Sequence, residues 1–229
     1  MKNWQHRYIW YCLIGFPATD GLHRIDGKVN TLFNKDEIIA DTEIDQHVYT
    51  LKELLMKNRI ELNFWEYPNV ILNRMQKEGL LCVVTDKASN NNIITLGWGQ
   101  IGPSYHGHPV FIIAVAPQRY SWHFLEEVPE FVIAVPDDSL GKAAEICGTL
   151  SGRDLDKFKT SGLTPVASKF VKAPSILECP LNIECRVYTK VAAPHLLLTP
   201  EHRKAPVNRQ HTIYFAEVLG AFGWETNKE

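Results

Sequence analysis

The chain lacks the spacings, runs and biases that mark several large classes of protein. No two of its five cysteines, Cys12, Cys82, Cys147, Cys179 and Cys185, stand as C-x-x-C, and most lie in apolar runs. They read as buried thiols of a reducing, cytoplasmic compartment, not as a disulfide frame. No apolar run reaches the ~18 residues of a membrane span, and the short run Ile9 to Phe16 has no cleavage site behind a basic stretch. Neither sign of charge dominates, since 24 Lys and Arg face 26 Asp and Glu for a net charge of −2. That balance argues against a nucleic-acid or anionic-membrane surface. Internal repeats and low-complexity tracts are also missing.

What is present changes character near residue 62. Residues 1–62 mix charges, Gly and Asn, and carry one short helical pattern, Val48, Leu51, Leu54 and Leu55 within Val48 to Met56. This segment is read as an extension of unassigned role, and 63–229 as one folded domain. In the domain six β-rich runs are separated by turn residues: Leu80 to Thr85, Ile93 to Gly97, Val110 to Val115, Phe131 to Val135, Asn182 to Val191 and Thr212 to Leu219. Helical patterns are few: Ser121 to Glu127, Leu140 to Cys147, and a turn around Asp154 to Lys159. Strands that do not alternate with long helices predict a mainly β fold, a barrel or a sandwich, over a doubly wound parallel sheet. The Asn-rich link Ser89 to Asn92 predicts a hairpin between the first two strands, because Asn tolerates left-handed backbone.

Gly97, Gly99 and Gly102 satisfy G-x-G-x-x-G, but Pro103 follows at once and no helix begins there to receive a pyrophosphate. The same residues end a strand that runs Asn92, Thr95, Gly97, Trp98. They describe either a polar lip with an indole wall for a flat ligand, or a hairpin edge with a core tryptophan. A second patch, Pro117 to Trp122, contains Arg119, Tyr120 and Ser121. With Ser121 as the cap of the following helix, it is a phosphate site in outline or a plain capped helix with a solvated arginine. A third patch, Ser151, Gly152, Arg153, Asp154, Leu155, Asp156, Lys157, Phe158, is a surface turn entering a short helix with Asp154 as its cap. His106 and His108 lack partners at ligand spacing, so no metal site is expected. Cys147, with no basic neighbour in sequence, reads as a buried apolar residue, and His195 to Pro206 as a solvated loop.

In order, N-x-x-T-x-G-W-G, P-x-R-Y-S and S-G-R-D-x-D-K-F resemble the flavin reductase-like FMN-binding family, and within it the flavoredoxin branch. The likeness runs from about Tyr67 to Gly220. It includes Gly162 to Val166, Ala173-Pro174 and Leu181 to Val187. It implies an FMN-binding split barrel of six antiparallel strands in Greek-key order, working as a homodimer. It implies that Asn92, Thr95, Gly97 and Trp98 line the flavin ring, that Arg119, Tyr120 and Ser121 hold the phosphate, and that Ser151, Arg153 and Lys157 complete the site. His211 matches a late-strand histidine close to flavin or nicotinamide and is the expected catalytic residue. The expected activity is hydride transfer from NAD(P)H to flavin, with electrons passed on to a protein or small-molecule acceptor. The alternative is a non-enzymatic FMN electron carrier reduced by a protein partner. Arg153, Lys157 or His211 is expected to supply positive charge to the reduced flavin. The chain departs from the family pattern at Arg209 and Gln210, where relatives often carry Gly-Asp.

Overall fold

A computed structural model describes residues 59–204 and 206–224. The helical pattern at Val48 to Met56, and the extension up to residue 58, lie outside them. The described elements are β1 (Arg59–Leu62), α1 (Pro68–Gln76), β2 (Leu80–Thr85), β3 (Asn91–Leu96), β4 (Gly99–Pro103), β5 (Pro109–Val115), α2 (Tyr120–Glu127) and β6 (Glu130–Val135). They continue with α3 (Gly141–Thr149), α4 (Lys157–Ser161), β7 (Pro165–Val166), β8 (Ser175–Ile176), β9 (Leu181–Val191), α5 (Pro200–Arg203) and β10 (Thr212–Trp224). Among these residues no helix is long and apolar enough to cross a membrane.

Seven strands form one path in the order β3-β2-β6-β9-β10-β5-β4, and β1 pairs with the far end of β10, making eight strands in all. The pairings within this sheet are antiparallel. The path ends at β3 and β4, which are consecutive in the chain, so the barrel is split where Gly97 and Trp98 join them. All six runs read from the sequence are strands. The sheet also has β1 and β4, too short and too poor in alternating apolar residues to be read beforehand, and β1 lies on the N-terminal side of the boundary set at residue 62.

Both faces of the central strands are buried, which is why they read as continuous apolar runs. Along β2, Leu80, Cys82 and Val84 point into the barrel with Phe111, Ile113, Phe131, Ile133 and Ile183, where α1 and α2 add Ile71, Phe124 and Leu125. Leu81 and Val83 point outward and pack, with Ile93 and Val132, under Ala143, Ala144 and Cys147 of α3 and Phe158 of α4. The β2–β3 hairpin forms as expected, but its left-handed residue is Ser89, at φ 68°, and not one of the asparagines. Asn90 instead ties the turn by donating from its backbone N–H to Asp86 Oδ1 at 2.8 Å.

Two capping expectations are corrected. The N-cap of α2 is Arg119, no side chain caps it, and Ser121 lies within the first turn. The cap of α4 is Asp156, whose Oδ1 accepts from the Lys159 N–H at 3.2 Å, and not Asp154. The strand register sets the first of these, because β5 ends at Val115 opposite Thr212 and the chain needs Ala116 to Arg119 to turn back over the sheet.

Candidate functional site

Of the G-x-G-x-x-G glycines, Gly99 serves the sheet. A Cβ at Gly99 would lie 2.9 Å from the Ile112 carbonyl oxygen of β5, so this glycine permits strand pairing and not the approach of a ligand. Gly97 is open, and Trp98 beside it is 51% exposed.

A cavity of about 180 Å³ opens at the β3 edge, between the turn entering α2 and the turn after α3. Asn92, Arg119, Tyr120, Ser121, Arg153 and Lys157 all face it, and Ser151 and Gly152 complete one wall. Its lining contains no Asp or Glu. Ser121 is buried, and its hydroxyl accepts from Asn92 Nδ2 at 2.8 Å, which leaves the hydroxyl proton for a ligand. The uncapped N-terminus of α2 adds backbone N–H groups and the positive end of its dipole.

Lys157 is the least ordinary member. It is 6% exposed, and its ammonium donates to the carbonyls of Ile93 at 2.8 Å and Cys147 at 2.6 Å. It forms no ion pair with a described carboxylate. Two of its three donors are thus committed, and one remains. Burial pulls its pKa below the ordinary lysine value; the neighbouring Cys147 opposes this and the Arg119 charge adds to it. A buried cation without a countercharge is costly unless an anion joins it. Cys147, read from sequence as having no basic partner, therefore has one in space. Burial nonetheless pushes its thiol upward against the Ser161 hydrogen bond and the Lys157 charge.

These groups suit a phosphate. The volume is below the ~300 Å³ of pockets that enclose whole small molecules. A cavity of this volume is sized for a charged group and a short length of chain.

The remaining sequence-predicted residues lie elsewhere. Thr95 faces α3 and not the cavity, donating to the Ala144 carbonyl at 2.6 Å with Gly148 packed against it. Trp98 and His211 form a separate pair, ring centroids 5.0 Å apart and planes at 72°. Strand register brings them together, because Ile113 of β5 lies opposite Gly99 on one side and Tyr214 on the other. His211 is held by its neighbours: the Trp122 indole donates to Thr212 Oγ1 at 3.0 Å, and His195 Nε2 donates to the His211 carbonyl at 2.7 Å. Burial lowers the His211 pKa, and the charges of Arg119 and His195 lower it further. This direction favours the neutral imidazole, which can donate one hydrogen bond. His195, read as part of a solvated loop, is the residue that sequence reasoning missed; nothing local to residues 195–206 signals it.

An antiparallel split barrel with a cavity beside β3, lined by Arg119, Arg153 and Lys157 and by no carboxylate, defines the class of protein. The sequence family described as "Flavin reductase like domain" matches residues 74–228, and the chain belongs to that family. An uncharacterized protein of Archaeoglobus fulgidus is 39% identical over 128 residues, which is 56% of this chain and 63% of that protein. The chain thus spans under two thirds of that curated relative. The flavoredoxin of Desulfovibrio vulgaris (Miyazaki F) is similar in structure, with TM-score 0.53 and 25% identity over 64% of this chain and 69% of that one. The flavoredoxin from Methanosarcina acetivorans gives TM-score 0.52 and 25% identity, covering 66% and 70%.

Proposed function

We propose that the chain is an FMN-binding oxidoreductase that takes hydride from NAD(P)H and hands electrons to an acceptor. The observation that carries this is the carboxylate-free cavity with the buried Lys157 ammonium at its floor, hydrogen-bonded to two carbonyls but in no ion pair with a described carboxylate. Lys157, Ser121, Arg119 and Arg153 would hold the phosphate, and Trp98 with His211 would border the ring. When bound, FMN supplies the acceptance of hydride and the onward passage of electrons.

The protein's part is orientation and charge. Lys157 and Arg119 place positive potential at one end of the site, and the His211 N–H is available to donate to a ring carbonyl. Trp98 offers a flat wall, open on its outer side. The exposed apolar residues Tyr188, Val191, Leu196 and Leu198 support the reading that a second copy of the chain covers this region. Sedimentation of the purified chain as a monomer at micromolar concentration would remove the dimer from the proposal.

The likeness to two flavoredoxins favours a second reading, an FMN carrier reduced by a protein partner. Titration with FMN followed by stopped-flow mixing with NADH or NADPH tests both. Rapid bleaching of the flavin by either nucleotide is the expected result. Slow bleaching by both favours the carrier, and a chain that does not bind FMN refutes the two together.

A further inference from the structure

The cavity has a fixed floor and an adjustable rim. Asn92, Ser121 and Lys157 are buried and tied to one another or to backbone carbonyls, so the floor is preset. Arg153 and Gln118, at the rim, are exposed. The Arg153 guanidinium carbon sits 4.9 Å from the centroid of the Tyr120 ring, and its Nη1 is 3.5 Å from the Gln118 carbonyl. One side chain thereby joins two chain segments that both line the cavity.

The two halves of this bridge differ in stiffness. Tyr120 is braced edge-on against the core residue Phe124, centroids 4.9 Å apart at 81°. Arg153 springs from a backbone pinned at Gly152, where an added Cβ would lie 2.1 Å from Asn92 Oδ1. Beyond that root its long side chain is held by one contact at the outer limit of hydrogen bonding and one exposed cation–aromatic contact. Both are weak enough to break for entry. An anion beneath the guanidinium would give it a charged partner and make closure firmer once the cavity is filled.

We infer that Arg153 and Tyr120 form a clasp over the anion cavity that sets how long a phosphorylated ligand stays. The inference rests on the FMN reading and deepens it: the buried floor governs attraction, and the clasp governs release. It assigns the chain a cofactor whose residence time is tunable at two rim residues.

Release is measured by loading the full chain with FMN and mixing it rapidly with an excess of another flavin-binding protein as a trap, following flavin fluorescence. Tyr120→Leu keeps every charge. It is expected to release FMN about twofold to fivefold faster, the scale of losing an exposed cation–aromatic contact. Because no charge is removed, the salt dependence of its association rate should stay near native. Tyr120→Phe should restore slow release. Arg153→Lys keeps the charge but loses the planar stack, and should also release faster. Native release rates in both Tyr120→Leu and Arg153→Lys would overturn the clasp while leaving FMN binding intact. Failure of the native chain to bind FMN would overturn the FMN reading and the clasp with it.

Discussion

Trp98 and His211 meet edge to face at 5.0 Å, and the imidazole in that contact is favoured in its neutral form by burial with Arg119 and His195 nearby. The sign of the consequence is definite. A folded pKa below the ordinary 6.5 means the unfolded chain binds more protons in the window between the two values. The stability contribution of His211 is therefore complete above 6.5 and is lost as pH falls through that window. Proton NMR of the imidazole across pH should give a midpoint below 6.5, and Arg119→Ala should raise it. A native midpoint at or above 6.5 would contradict this account.

Removing the cavity's buried cation should weaken phosphate recognition specifically. Lys157→Met is expected to lower FMN affinity by about tenfold to a hundredfold, the size of a hydrogen bond to a charged group. Riboflavin, which lacks the phosphate, should bind both chains alike. Calorimetric titration with the two flavins makes the comparison, and an equal loss for both would place the phosphate elsewhere.

Glu184 is fully buried and accepts from Arg59 Nη2 at 2.9 Å, the Lys169 N–H at 2.9 Å and the Phe170 N–H at 2.6 Å. It fastens β1 and the residue 169–170 loop to β9. Glu184→Gln turns one acceptor oxygen into an NH₂ facing donors and leaves Arg59 without its countercharge. A cost of about 3–5 kcal/mol is expected. Urea denaturation should show it as a lowered midpoint at unchanged slope, and a loss under about 1 kcal/mol would show that the pair is replaceable.

Two glycines should respond in opposite ways to alanine. Gly152→Ala cannot keep its turn against Asn92, so FMN affinity should fall. Gly141 begins α3 with helical backbone and open space around its Cα. Gly141→Ala should stabilise by up to about 1 kcal/mol through helix propensity. Thermal melts and FMN titrations of both chains provide the check, and a Gly152→Ala chain that binds FMN normally would show that the turn yields.

Much of this fold is legible in the sequence because the central strands are buried on both faces. Leu80 to Thr85 can be read directly, since every residue in it is apolar or small. The short strand Gly99–Pro103 cannot, because two glycines and a proline conceal a strand whose pairing is supplied by β5. The cavity is legible in part: the P-x-R-Y-S and S-G-R-D-x-D-K-F segments converge there with Asn92. The orientation of Thr95 is not, because an odd position on β3 faces α3, and only the register of the strand decides that. The contact of His195 with the His211 backbone depends on how a loop folds back, which leaves no local trace.

The Lys157 ammonium also occupies the Ile93 carbonyl on β3, the strand at which the sheet stops. Uncovered backbone at such a margin is an invitation to self-association through strand addition. One cation thus covers a backbone acceptor at the sheet's margin as well as facing the cavity, and a chain altered there should also be watched for clumping on storage.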